Sequence, residues 1–326
     1  MKLYGKLLIC LLLTITLAIC AGHTWANPIE IMQALMGDNS LSARLLAQWR
    51  LPRVLTSALV GGLLGLSGAI FQGVFRNPLT EPWLLGASGG AAVGATIALL
   101  VPLAIPMAIS LPLFSFVGAF ATILLVLSIA RLTGSLDVTT LLLTGVAISA
   151  MLSAIRSFLM MSLSNETISL QVVLSWLMGG IQTPSWTGLI IATGLFIMGL
   201  VIALRLAHGL DLLGLGENMA TTMGLSVNRF ILLALLVGSA ITACAVALGG
   251  IIGFVGLAAP HIARWLSGSQ HKRLLPQATI IGAILVTLAD ALARSLLSPG
   301  EIPLGVITAI AGTPLFIVLL ARRNKR

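Results

Sequence analysis

Long apolar runs separated by short polar gaps make up almost the whole chain. By length, ten runs fall at residues 5–22, 54–75, 84–103, 111–131, 139–162, 186–206, 229–249, 250–267, 275–295 and 304–321. A helix of about 20 residues is long enough to cross a hydrocarbon core about 30 Å thick. The pattern therefore predicts an all-α, polytopic membrane bundle of about ten transmembrane helices, in a single domain that covers residues 1–326.

Composition excludes a water-soluble protein. The chain is 58% hydrophobic and 8% charged, whereas a soluble domain carries about 25% charged residues. Its long continuous apolar runs also differ from the alternating segments of about 10 residues in a membrane β-barrel. The net charge of +9 would suggest nucleic acid in a soluble protein, but here the charges lie in the gaps between apolar runs, which membrane topology explains.

Two boundaries in the pattern are open. Lys2 and Lys6 followed by an apolar run resemble a secretory signal, but the run is long for a signal, so we interpret it as the first span. Residues 250–267 follow the preceding run almost without a loop. Their glycines and Pro260 predict a tight turn and then a short or irregular helix.

The positions of lysine and arginine predict the orientation. With the N-terminus inside, thirteen of the eighteen basic residues lie on the cytoplasmic side, as the positive-inside rule requires. An even number of spans then places both termini in the cytoplasm. Five residues lie outside against this bias, and they are Arg44, Arg50, Arg53, Arg156 and Arg294. Of these, Arg50, Arg53 and Arg294 are either interfacial arginines that reach toward headgroups or an outward basic patch for an acidic partner.

Glycine spacing and one possible ion pair concern the interior of the bundle. GxxxG spacing occurs at Gly61/Gly65, Gly86/Gly90/Gly94 and Gly249/Gly253, and small residues at this spacing allow helices to approach closely in lipid.

Asp290 lies well inside a predicted span, with Arg294 four residues later on the same face. Such a pair would neutralise both charges. Proton- or sodium-coupled transporters usually carry carboxylates along their pathway, so this sequence gives a gradient-driven transporter little support.

Sequence motifs for catalysis are missing. The chain contains no G-x-x-x-x-G-K-[ST] phosphate loop, HExxH or CxxC. Its cysteines, Cys10, Cys20 and Cys244, lie within apolar segments without metal-ligand spacing. We therefore expect no catalytic residues, no metal site and no resident cofactor.

The polar stretch 207–230 lies on the predicted inner side. It carries Leu212, Leu213, Leu215, Met219, Met223 and Leu225. After Gly216 the sequence favours a short helix that ends at Gly224. The helix could lie on the lipid surface or fit a groove on a cytoplasmic protein, and the pattern alone leaves both open.

Several stretches, in order from residue 49 to the C-terminus, resemble one family. They are WRLPRVL, GAIFQGVFRNPLTEPWLLGASGGA, LLLTGVAIS, LSWLMGGI, LLGLGENMATTMGLSV, GGIIGFVGLAAPHIARW, RLLP, LADALAR and EIPLGVITAIAGTPLFIVLL. This set resembles the permease subunits of bacterial type II ABC importers for iron-siderophores, haem and cobalamin. The first span matches only in character.

The resemblance implies an assembly in the bacterial inner membrane. The permease pairs with a second permease subunit, identical or closely related. Two cytoplasmic ATPase subunits bind ATP-Mg beneath it, so the permease itself is not an enzyme. A periplasmic binding protein docks above and delivers the metal chelate, with an iron-siderophore the first expectation and cobalamin or haem the next.

The resemblance also implies roles for particular residues. Arg50, Arg53 and Arg294 match arginines that meet glutamates of the binding protein. The coupling helix to the ATPase matches residues 213–226 and includes Leu215, Gly216, Glu217, Ala220 and Gly224. The cytoplasmic gate matches Val138 and Thr139, and the outer gate matches the end of the fifth span together with residues 175–180. The stretch Asp137–Thr140 has fewer hydroxyls than the cobalamin permease pattern, which weakens an assignment to cobalamin.

Overall fold

A computed structural model describes residues 2–22, 25–27, 40–132, 138–163, 170–297 and 300–323. Every regular element in these ranges is a helix. The α-helices are α1 (Lys2–Cys20), α2 (Leu41–Leu45), α3 (Leu51–Val74), α4 (Ala87–Leu100), α5 (Met107–Leu132), α6 (Val138–Leu163), α7 (Leu170–Leu177), α8 (Trp186–Gly214), α9 (Glu217–Thr222), α10 (Val227–Gly249), α11 (Val255–Ser267), α12 (His271–Ser295) and α13 (Leu304–Arg323). A π-helical turn at Leu46–Arg50 joins α2 to α3, and a 3₁₀ turn at Pro82–Leu85 precedes α4.

Each of the ten predicted spans coincides with a helix, but the helices differ in length. Among the described residues, seven helical segments are long and apolar enough to cross a membrane by themselves. The other three predicted spans correspond to α4, α11 and α13. α4 has 14 residues, so it is about 21 Å long, shorter than a hydrocarbon core of about 30 Å. The all-α fold is confirmed, and the number of ten crossings stays a prediction.

α3 is the central helix of the bundle. Most of its residues are buried, and it packs against α8, α10, α11 and α12. The closest approach is to α12, where a Cβ atom built on Gly61 would lie 2.1 Å from the carbonyl oxygen of Gly282. A Cβ on Gly65 would lie 2.2 Å from the carbonyl oxygen of Ala278. The predicted role of Gly61 and Gly65 in close helix packing is therefore confirmed.

A second close contact joins α4 to α5. A Cβ on Gly90 would lie 2.1 Å from the carbonyl oxygen of Gly118, and one on Gly94 would lie 2.0 Å from that of Phe114. Gly86 is different, because it has a positive φ of 79° and forms the turn before α4. Gly90 and Gly94 therefore bring these two helices together.

The third glycine pair does not form a helix seam. Gly249 is the last residue of α10, and Gly253 lies in the connection before α11. The predicted tight turn and short helix in this region are confirmed, because α11 begins at Val255. The Glu81 carboxylate accepts a hydrogen bond from the backbone N–H of Phe254 at the start of α11. Burial raises the pKa of the Glu81 carboxyl, and this hydrogen bond opposes the shift.

Candidate docking and coupling sites

A chain of ion pairs lies at the end of the bundle where α3 begins and α12 ends. Arg53 Nε donates to Asp290 Oδ1 at 3.1 Å, and Arg294 Nε donates to Asp290 Oδ2 at 3.0 Å. Arg53 Nη1 and Nη2 donate to the two carboxylate oxygens of Glu301 at 2.9 and 2.8 Å. The Asp290 side chain is 1% exposed, whereas that of Glu301 is 51% exposed. The predicted pair of Asp290 and Arg294 is thus confirmed, with Arg53 as an additional partner.

Arg294 also joins α1 to this cluster. Its Nη1 donates to the carbonyl oxygen of Ala21 at 2.7 Å, and its Nη2 donates to that of Ala18 at 3.0 Å. Carbonyl groups at a helix C-terminus lack partners within the helix, so a cation is favourable there. Arg294 is 6% exposed. In this conformation it is therefore a buried link between α1 and α12, a role that the sequence did not indicate.

Arg50 lies beside the same end of α1. It is the last residue of the π-helical turn, and a Cβ on Gly22 would lie 3.0 Å from its Cζ atom. The structure thus brings the three predicted docking arginines to one end of the bundle. Arg50 and Arg53 are both partly exposed, whereas Arg294 is buried. Arg53, with a side chain 20% exposed, is paired with an exposed carboxylate.

A cavity of about 530 Å³ opens next to Arg53 and Glu301. Its wall includes Trp176 and Gly180, which belong to the predicted outer gate at 175–180. This segment is fixed on two sides, because Gly180 N donates to Gly249 O at 3.1 Å and Leu304 N donates to Gly179 O at 3.0 Å. The gate segment therefore connects α10 to the start of α13.

The predicted coupling helix lies at the opposite end of α3. Arg76, two residues after α3, pairs with Glu217 at 2.5 Å. This ion pair lies about 36 Å from the start of α3 by helix length. The predicted short helix is confirmed as α9, which follows Gly216.

The end of α9 explains the predicted stop at Gly224. Gly224 N donates to Thr221 O and Leu225 N donates to Ala220 O, both at 2.9 Å. With Gly224 at a φ of 89°, this is a Schellman ending, which favours glycine because a Cβ atom is strained there. Ala220 is fully buried. α9 is therefore a small, well-defined helix whose Ala220 faces the bundle.

Large apolar side chains around α9 point away from the protein. Leu215, Met219 and Met223 are 63%, 54% and 56% exposed. A short helix that is fixed on one face and presents flexible methionines on the other suits insertion into a groove. Both interpretations made from the sequence, a lipid surface and a partner groove, require such a face.

The predicted cytoplasmic gate lies at the start of α6. Val138 is the first residue of this helix, and Thr139 is exposed. Asp137, the residue before them, lies outside the described residues. None of the residues in the most apolar part of α6 is buried within the chain. Much of the surface of this helix is therefore not covered by its own chain, although one side packs against α4 and α5.

The long apolar helices are typical of a polytopic membrane protein. A family model, the FecCD transport family, matches residues 10–322. The chain therefore belongs to the FecCD transport family, and the resemblance found in the sequence motifs is confirmed. Across the described residues, no group of three or more His, Cys, Asp or Glu side chains could hold a metal ion.

Individual relatives match over nearly the full length. The Fe(3+) dicitrate transport system permease protein FecD of Escherichia coli is 37% identical, covering 97% of this chain and 99% of that protein. The hemin transport system permease protein HmuU of Yersinia pestis is 34% identical, covering 91% and 93%. A solved ABC transporter described as of metal-chelate type, in an inward-facing conformation, aligns with a TM-score of 0.86 and 32% identity, covering 98% and 99%.

Proposed function

We propose that this chain forms the membrane pathway of an ATP-driven importer for a metal chelate. The observation that carries the proposal is the family match along residues 10–322. Relatives that transport ferric dicitrate and hemin give the substrate class. An iron-siderophore is the first candidate, with haem and cobalamin next.

The carboxylates favour an ATP-driven over a gradient-driven mechanism. The seven candidate spans contain two carboxylates, Asp211 and Asp290. Asp290 is held by Arg53 and Arg294, and Asp211 accepts a hydrogen bond from the backbone N–H of His271 and contacts its ring Nδ1 at 2.7 Å. Proton- and sodium-coupled transporters usually carry carboxylates along their pathway, and both of these are engaged within the protein. Energy then comes from a separate ATPase subunit.

The proposed assembly has a partner at each membrane face. A second permease subunit, identical or related, completes the pathway, and two cytoplasmic ATPase subunits bind ATP-Mg. A periplasmic binding protein carries the chelate. The excess of lysine and arginine in alternate gaps supports an inner-membrane orientation with both termini in the cytoplasm.

Arg53 is the centre of the proposed docking site. Its planar fork already holds a carboxylate through two parallel hydrogen bonds, which is the geometry that a glutamate of a binding protein would use. Arg50 adds positive charge beside it. Arg294 acts through Asp290, the carboxylate that it shares with Arg53.

The remaining proposed roles concern the cytoplasmic side. Leu215, Gly216, Glu217, Ala220 and Gly224 shape the coupling helix that fits the ATPase. Val138 and Thr139, at the start of α6, form the cytoplasmic gate. The exposed face of α9 and the uncovered surface of α6 support these assignments.

The substrate class can be tested on the binding protein of the same import system. The purified binding protein is mixed with equal amounts of a ferric siderophore, haemin and cobalamin, and native mass spectrometry identifies the bound species. We expect one metal chelate to be retained, with the ferric siderophore preferred. Retention of a sugar or amino acid from the expression host, with none of the three chelates, would contradict the proposal.

Reversing the charge of Glu217 should uncouple ATP hydrolysis from transport. Glu217→Arg places two arginines together at the contact that joins α9 to the end of α3. Because like charges placed together at a contact repel each other, we expect uptake per ATP hydrolysed to fall roughly tenfold while ATPase activity persists. Proteoliposomes with the complete importer provide both measurements.

A charge swap provides the matched control for Glu217. Arg76→Glu combined with Glu217→Arg restores an ion pair at the same place, so uptake per ATP should recover. If Glu217→Arg alone transports as efficiently as the natural chain, this ion pair has no part in coupling.

A further inference from the structure

Arg53 already holds a carboxylate of its own chain. All three of its guanidinium nitrogens donate, Nε to Asp290 and the two Nη atoms to Glu301. The two acceptors differ in their surroundings, because Asp290 is almost fully buried and Glu301 is half exposed. Asp290 is therefore the fixed partner of Arg53, and Glu301 is the partner that solvent can reach.

We infer that Glu301 is an internal competitor for the docking site, which an acidic side chain of the binding protein displaces from Arg53. The inference rests on the proposed docking function of Arg53. The edge of the guanidinium formed by Nη1 and Nη2 donates both of its parallel hydrogen bonds to one carboxylate at a time, so the incoming group and Glu301 cannot both occupy this edge. Exposed ion pairs contribute little net stability, which makes the exchange easy. Glu301 then lowers the affinity of docking and limits it to partners whose carboxylate outcompetes it.

The position of Glu301 relates this exchange to the predicted outer gate. Ile302 N donates to Ala293 O at 3.1 Å, and Gly305 N donates to Met178 O at 2.9 Å. Glu301 thus lies on the short connection between α12 and α13, whose far end is bonded to the segment 178–180. The cavity beside Arg53 and Glu301 has room for an incoming side chain. Release of Glu301 would remove the side-chain tie between this connection and Arg53, while the backbone hydrogen bonds of the connection remain.

The test is the affinity of the binding protein for Glu301→Gln. This variant keeps the size of the side chain and removes its charge, so Arg53 loses its competing carboxylate. We expect the binding protein of the same import system to bind the variant, in lipid nanodiscs, about threefold to tenfold more tightly, because a larger fraction of Arg53 is available. Glu166→Gln is the matched control, since it removes the same charge from the predicted outer side between α6 and α7.

The two proposals fail in different ways. If Arg50→Glu with Arg53→Glu does not weaken binding, the docking function itself is wrong. If that double variant weakens binding but Glu301→Gln binds no more tightly than the natural chain, docking stands and the competitor role is wrong.

A second measurement needs no partner protein. Phenylglyoxal modifies accessible arginines, and mass spectrometry of the peptide that contains Arg53 gives the rate, with the exposed Arg44 as reference. We expect modification of Arg53 to become several times faster in Glu301→Gln, because two of its three nitrogens lose their charged acceptor. Equal rates in the variant and the natural chain would overturn the inference.

Discussion

Alanine at position 61 should strongly destabilise the bundle, although it adds a single methyl group. The added Cβ would lie 2.1 Å from the carbonyl oxygen of Gly282, and a backbone oxygen cannot rotate away as a side chain can. We expect Gly61→Ala to lower the free energy of unfolding by about 3 kcal/mol, the upper end for overpacked sites. The loss would be measured as a lower midpoint of thermal unfolding in detergent, monitored by size-exclusion chromatography.

Gly5→Ala is the matched control for Gly61→Ala. A Cβ atom at Gly5 would meet no other atom within 4 Å, and Gly5 also lies inside a helix, α1. Replacing an exposed helical glycine by alanine usually stabilises a protein by about 0.5–1 kcal/mol. Equal midpoints for Gly61→Ala and Gly5→Ala would contradict the close contact between α3 and α12.

Charge reversal at the docking site should strongly lower the affinity of the binding protein for the permease. In Arg50→Glu with Arg53→Glu, a carboxylate of the binding protein would meet like charges instead of a guanidinium fork. We expect its affinity to fall at least about thirtyfold, which corresponds to a loss of about 2 kcal/mol or more for a hydrogen-bonded charge pair. Binding to the permease in nanodiscs, measured by biolayer interferometry, gives this number directly.

Folding has to be separated from docking in that experiment. Arg53 donates to Asp290, which is 1% exposed, so reversing its charge also places a carboxylate beside two others. Arg53→Lys avoids this problem, because it keeps a positive charge next to Asp290 and loses only the planar fork. We expect this variant to unfold at nearly the natural temperature and still bind more weakly. Natural affinity in both variants would remove Arg53 from the docking site.

Features encoded locally could be predicted from the sequence. The apolar runs predicted the positions of the long helices, because the length of each run and the polar or glycine-rich gaps at its ends can be seen directly in the sequence. Gly216 and Gly224 located α9, because helix ends depend on a few neighbouring residues. The spacing of Asp290 and Arg294 on one helix face was also sufficient to predict their ion pair.

Contacts between distant parts of the chain could not be predicted. Arg53 and Glu301 are 248 residues apart, and Arg294 and Ala21 are 273 residues apart. The residues next to Arg294 and Arg53 in the sequence do not predict that Arg294 is buried against α1 while Arg53 remains partly exposed. Gly249 and Gly253 show that a local pattern can also mislead. They have GxxxG spacing in the sequence, but α10 ends at Gly249, so the two glycines do not lie on one helix.

Reconstitution tests most directly whether this chain is a passive pathway driven from outside. The permease is placed in proteoliposomes with its ATPase, ATP inside and the loaded binding protein outside, and radiolabelled chelate uptake is measured with and without each component. We expect uptake when both proteins and ATP are present, unaffected by an uncoupler that collapses the ion gradient. Uptake by the permease alone, or uptake that follows the gradient rather than ATP, would contradict the proposed function.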